Sequence, residues 1–122
     1  MISNSHKFCI APMMKKTDKH FRFLTRQFTK RSMLYTEMIH ANAILKGNVD
    51  RLLSFDECEH PVGLQLGGSD PKSLAEAAII GQEYGYDEIN LNVGCPSKKV
   101  KSGNFGVFLM KNVELLSKCV NE

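Results

Sequence analysis

The sequence has no tryptophan, no long apolar run, no CxxC pair among its four cysteines and, across its first 31 residues, a single acidic side chain. Each shortage removes a class of reading. No run approaches the ~20 apolar residues that cross a bilayer, so no membrane helix is expected. The polar start carries no signal peptide. Cys9, Cys58, Cys95 and Cys119 are scattered, which argues against a disulfide framework. Cys58 and His60 are too isolated to hold a metal, so no metal site is expected. A reduced, cytoplasmic protein follows. Low-complexity tracts, short repeats and an internal domain boundary are also missing. With 122 residues the chain can bury one modest core, but it falls far short of the ~250 residues of a complete β/α barrel.

Apolar residues make up 43% of the chain, enough for a packed interior and too many for wholesale disorder. The net charge of +3 is unevenly spread. Lys7, Lys15, Lys16, Lys19, Arg22, Arg26, Lys30 and Arg31 face Asp18 alone in the first 31 residues, and Lys98, Lys99 and Lys101 form a second group. Such asymmetry suits a polyanion such as RNA, although runs of charge are usually just solvated faces.

Strands and helices alternate along the chain. Residues 1–7 read as a loose lead-in and residues 8–122 as one unit. Phe8-Cys9-Ile10-Ala11 is a short buried strand halted by Pro12. Thr17 is expected to cap a helix with Asp18 in its first turn. Phe21, Leu24 and Phe28 would be its apolar side, with Lys19, Arg22 and Arg26 on another. Met33–Met38 reads as a second strand. A helix begins near His40 and stops at Gly47-Asn48, and Arg51–Phe55 is ambiguous. Val62–Leu66 is a third strand. Asp70-Pro71 opens a helix with stripe Leu74, Ala77, Ala78 and Gly81, closed by Gly85. A last helix over Asn112–Val120 would put Val113, Leu116 and Val120 on one face. The order β-α-β-α-β-α-β-α implies parallel pairing and right-handed crossovers.

The fourth strand is the informative one. In Glu88-Ile89-Asn90-Leu91-Asn92-Val93, apolar residues alternate with a carboxylate and two amides. Gly94 and Pro96 then break the strand and leave Cys95 at its C-terminal mouth. Alternation alone favours the plainer reading, an edge strand with one wet face. In a β/α barrel the same pattern would turn Ile89, Leu91 and Val93 toward the outer helices and the amides inward. Chemistry in such barrels sits at the C-terminal strand ends. Pro12-Met13-Met14 and Gln65 lie at other strand ends, and a flat heterocycle with polar edges fits such a set. Methionine offers a polarizable surface and glutamine a paired donor and acceptor.

Ala11-Pro12-Met13-Met14, Leu34-Tyr35-Thr36-Glu37-Met38, Leu64-Gln65-Leu66-Gly67-Gly68-Ser69-Asp70-Pro71 and Glu88-Ile89-Asn90-Leu91-Asn92-Val93-Gly94-Cys95-Pro96-Ser97 together resemble the A-type tRNA-dihydrouridine synthases. The resemblance runs from about Phe8 through Ser102-Gly103 and Phe105-Gly106 to Leu109-Met110. It departs at Lys15-Lys16, where that family carries an acidic residue and tryptophan, and at Val107-Phe108.

The resemblance implies an α/β fold, the first half (about four β/α units) of a TIM-type (β/α)8 barrel. It implies an FMN enzyme that reduces a uridine of the tRNA D-loop to 5,6-dihydrouridine, with NADPH as reductant. Pro12, Met13 and Met14 would line the FMN, and Gln65 would bond its ring edge. Asn92 would touch the target base, Cys95 would be the proton donor, and Lys98 and Lys99 would hold nearby phosphates. The family's later flavin-phosphate segments lie beyond 122 residues, so a truncated member of weak independent activity is expected. Self-association or a complementing C-terminal half would then cover its open sides. Two other readings stand beside this one: a non-catalytic half-barrel remnant, and a flavin barrel acting on a free pyrimidine, like the dihydroorotate dehydrogenases.

Overall fold

The computed structural model describes residues 4–122, and the side chains of residues 4 and 5, Lys99 and Lys101 lie outside the described set. The expectation for residues 1–7 falls partly outside it; Asn4–Lys7 form a 3-10 turn. The expected phosphate contact of Lys99 falls outside it.

Cys9–Ile10 (β1), Met33–Tyr35 (β2), Ile39–His40 (β3), Val62–Gly67 (β4) and Glu88–Leu91 (β5) form one parallel sheet. Between them run Lys19–Phe28 (α1), Ala41–Lys46 (α2), Val49–Leu53 (α3) and Pro71–Glu83 (α4), followed by Lys98–Ser102 (α5) and Val113–Asn121 (α6). β2 and β3 both pair with β4, so taken as one interrupted strand they leave the sheet in chain order, which is the way a β/α barrel is wound. The result is a partial barrel with β1 and β5 as its outer strands.

The strand expected over Met33–Met38 stops at Tyr35, and pairing with β4 resumes beyond it at Ile39–His40. Tyr35 pairs with Gly63 and Ile39 with Leu66, so β2–β3 takes four steps where β4 takes three. One extra residue is a bulge. The Thr36 hydroxyl repairs the ladder there, accepting the Gln65 N–H at 3.0 Å.

The core lies between the sheet and α2–α4. Val62, Leu64 and Leu66 of β4 pack with Ala41, Ile44, Leu53, Leu74, Ala77 and Tyr86. Gly81 allows α4 to lie close to the sheet, because a Cβ there would sit 2.6 Å from the Leu64 side chain. Asp70 caps α4 by accepting the Ser73 N–H, Pro71 is its first residue, and Gly85 turns the chain out at φ +90°, as the sequence predicts.

Tyr86 is buried, and its hydroxyl donates to the Leu53 carbonyl at 2.9 Å. Burial pushes its phenol up to about 12. An unfolded tyrosine loses its proton near ~10, so across this window the folded chain holds the proton more tightly. Stability will therefore fall as pH rises from ~10 and level off above ~12, a loss of about 2–3 kcal/mol. Tyr35, raised by burial and by its bond to Glu88, adds to the slope. In Tyr86→Phe, urea melts should show a shallower alkaline slope. They should also show about 1–2 kcal/mol lost at neutral pH, because the Leu53 carbonyl loses its donor.

Helix α1 reverses expectation twice. Its cap is Asp18, which accepts the Phe21 N–H at 2.8 Å; Thr17 is buried and instead ties the preceding loop to Met13. Its buried residues are Arg22 and Arg26, while Leu24 is 59% and Phe28 84% exposed. The helix packs over the loops that enter β2 and β4, where backbone carbonyls need donors. Arg26 supplies them to Thr29, Ser32, Glu59 and Pro61. In α6, similarly, Val113 and Val120 are exposed, and Cys119 packs against the core instead.

Leu24 and Phe28 leave apolar surface on α1, and such surface favours self-association. The wild-type chain will self-associate as its concentration rises, and Leu24→Lys with Phe28→Lys will shift it toward monomer with unchanged circular dichroism. Sedimentation velocity reads the outcome. An unchanged distribution would take α1 out of the contact.

Candidate active site

The inner face of the sheet is polar because β4 turns its apolar alternates outward. Its inward positions are Gly63, Gln65 and Gly67, and those of β5 are Glu88 and Asn90, with Asn92 just beyond. Two layers result. At the lower one, Tyr35 donates to Glu88 Oε1 at 2.7 Å, and His6 Nε2 lies 2.5 Å from Glu88 Oε2. Gly63 makes this reach possible, since a Cβ there would meet the Tyr35 ring at 2.7 Å. At the upper layer, paired Gln65 and Asn90 join: Gln65 Nε2 donates to Asn90 Oδ1 at 2.8 Å. Asn92 Nδ2 donates to Gln65 Oε1 at 2.9 Å.

Above these amides lies an open cavity of about 570 Å³. Pro12, Met13, Met14, Gln65, Asn92 and Cys95 all line it, so six expected site residues from three strand ends meet in one place. Lys16, Met38, Leu91, Val93 and Gly94 complete the wall. Met13 and Met14 are about half exposed, leaving apolar surface for a ligand to cover. The volume lies inside the ~300–1,000 Å³ range of small-molecule sites.

Two loops hold the rim. In the first, Met13 accepts the N–H groups of Lys16 and Thr17, and Glu37 accepts the Lys15 N–H. Lys15 sits at φ +60°, a turn conformation that the Glu37 bond stabilises. In the second, the Asn92 side chain accepts the N–H groups of Gly94 at 3.2 Å and Cys95 at 2.9 Å. The Cys95 carbonyl then accepts the Val107 N–H at 3.1 Å. Gly106 has φ +60°, and a Cβ on it would lie 2.6 Å from the Cys95 carbonyl oxygen. Only glycine fits so close to the cysteine loop. Cys95 itself is half-buried, and its sulfur has no hydrogen-bond partner among the described residues.

Lys98 is exposed on the first residue of α5 and stands outside this wall. Sequence reasoning missed Met38, Lys16 and the loop-holding roles of Thr17, Glu37 and Gly106. Met38 reaches the cavity only because the β2–β3 bulge shifts the register after Tyr35. A second cavity of about 490 Å³ shares Met14 and Met38 with the first, and Lys19, His20 and Arg51 line it.

Comparison with known proteins adds a consistent likeness. The family described as Dihydrouridine synthase (Dus) matches residues 9–122. A Synechocystis protein named tRNA-dihydrouridine(20/20a) synthase is 58% identical over 119 residues, which is 98% of this chain and 36% of that protein. Proteins of the same name from Xanthomonas axonopodis pv. citri and Escherichia coli O6:H1 are 53% and 51% identical over 116 residues, each covering 95% of this chain and 35% of the relative. The chain thus spans about a third of the length of the curated relatives it matches.

Proposed function

The chain belongs to the dihydrouridine synthase family, and from that premise we propose that it carries the reaction mouth of a flavin-dependent enzyme. That enzyme reduces a uridine of the tRNA D-loop to 5,6-dihydrouridine. The observation that carries the reading is the shared cavity of Met13, Met14, Gln65, Asn92 and Cys95.

The residues present fit FMN. Pro12, Met13 and Met14 offer apolar surface for a flat ring, and Gln65 offers amide hydrogen-bonding at a ring edge. When bound, the flavin supplies the hydride, with NADPH as the external reductant. The protein's own part is orientation and the proton. Asn92 keeps one amide hydrogen for the base after its bond to Gln65. The Cys95 thiol holds the proton that C5 of the base needs. A positioned thiol is a suitable general acid for that task. A uridine within folded RNA must turn out of its stack to enter. Lys98, Lys99 and the second cavity's Lys19 and Arg51 would hold phosphates beside it, a salt-sensitive attraction. The family likeness favours this reading over an enzyme of free pyrimidines.

The test is a graft. These 122 residues replace the matching segment of the Synechocystis relative, and FMN content and tRNA dihydrouridine are measured. The graft should be yellow and active, and the 122-residue chain alone a poor catalyst. A graft that binds FMN yet leaves tRNA uridine unreduced would overturn the reading.

A further inference from the structure

Three side-chain amides run in series across the strand ends, and their direction is set at one end. Asn92 Oδ1 accepts two backbone N–H groups, those of Gly94 and Cys95. Only the oxygen of an amide can do this, so the two donors fix how the Asn92 side chain lies. Its Nδ2 must then face Gln65 Oε1, at 2.9 Å. Gln65 is fixed in turn, and its Nε2 faces Asn90 Oδ1 at 2.8 Å. Reversing any one amide would set hydrogen against hydrogen or oxygen against oxygen. At the far end, Asn90 Nδ2 has both hydrogens without an acceptor among the described residues but stands outside the cavity wall; within the wall, Gln65 Nε2 keeps one hydrogen and Asn92 Nδ2 another.

We propose that Asn92 is a positioning residue that anchors the Cys95 backbone and, through Gln65, makes the cavity floor present hydrogen-bond donors. The floor then selects a ligand edge rich in acceptors, such as a ring carbonyl or imine nitrogen. This deepens the proposed function, on which it rests only for the kind of ligand. The relay also couples the two halves of the site. The side chain that meets the ring edge and the loop that carries the thiol share one hydrogen-bonded support.

Two variants of the full 122-residue chain separate the roles. In Asn92→Asp a carboxylate still accepts the N–H groups of Gly94 and Cys95, but it has no hydrogen for Gln65. Gln65 must turn its Nε2 toward the carboxylate, and Asn90 must turn with it. In Asn92→Ala both supports are gone. Amide hydrogen exchange should leave Gly94 and Cys95 at the wild-type rate in Asn92→Asp and speed them roughly tenfold or more in Asn92→Ala. The side-chain NH₂ resonances of Gln65 and Asn90 should move in Asn92→Asp, although the loop is kept. A titration with FMN should show roughly tenfold weaker binding or worse to Asn92→Asp. Unchanged exchange in Asn92→Ala, or unmoved NH₂ signals in Asn92→Asp, would overturn the proposal. A wild-type chain that takes up no FMN would count against the cofactor reading for this chain alone. The exchange rates and NH₂ signals would still decide the role of Asn92.

Discussion

Cys95→Ala will lower dihydrouridine formation by roughly 10²–10⁴-fold while leaving bound flavin at its wild-type level, when the chain is grafted into the Synechocystis relative. The expected size is that of a general acid, because the part proposed for the thiol is one proton. Nothing else in the wall replaces it well. Met13, Met14, Met38, Leu91 and Val93 have no proton to give, and Lys16 is a cation on the opposite loop. The alanine side chain keeps the backbone bonds of the loop, from the Cys95 N–H to Asn92 and from Val107 to the Cys95 carbonyl. The flavin wall should therefore survive. Absorbance of bound flavin and dihydrouridine content of the tRNA give the two readouts. Loss of the flavin together with activity would make Cys95 a structural residue instead.

Gly106→Ala should act on the same loop by another route. An added Cβ would lie 2.6 Å from the Cys95 carbonyl oxygen, and φ +60° would be strained for alanine. The carbonyl must move, so Cys95 alkylation by iodoacetamide should change in rate although the thiol is untouched. An unaltered rate would mean that the loop absorbs the clash elsewhere.

How far the site could be read before the fold depends on the residue. The inward amides of β5 were legible because a strand has a fixed period. Once Ile89 and Leu91 face the helices, Glu88 and Asn90 must face the other way. Gln65 was legible as the polar residue near the end of β4. The bulge between Tyr35 and Ile39 was not legible, since one added residue leaves no mark in an apolar stretch, and with it went Met38. The largest miss was α1. Amphipathic pattern says that a helix has two unlike faces; it does not say which face is buried. Apolar side chains usually bury, which would turn Phe21, Leu24 and Phe28 inward, yet Leu24 and Phe28 face out. The loops beneath α1 present carbonyl oxygens, and there the favoured partner is a guanidinium with five donors. Thr17 failed as a cap for a related reason: its hydroxyl was already committed to Met13.

That inverted helix predicts the largest effect on folding. Arg22 and Glu59 form an ion pair at 2.5 Å with side chains only 5% and 1% exposed. Glu59 also accepts the Asp56 N–H through its other oxygen, and Arg22 donates to the Thr17 carbonyl at 2.8 Å. The pair thus joins α1 and the first loop to the turn that enters β4. Forming a buried ion pair costs nearly what it returns, but removing one partner strands the other charge without water or counter-charge. Glu59→Ala should therefore lose about 3–5 kcal/mol, a large share of the ~5–15 kcal/mol that holds an ordinary domain together. Urea melts followed by circular dichroism should show the midpoint moving sharply down, with much of the chain unfolded before denaturant is added. Arg22→Met combined with Glu59→Leu removes both charges and should recover most of the loss, because no ion is then left bare. If the double variant were no better than Glu59→Ala, the bonds to Asp56 and Thr17 that it lacks, rather than the stranded guanidinium, would carry the cost.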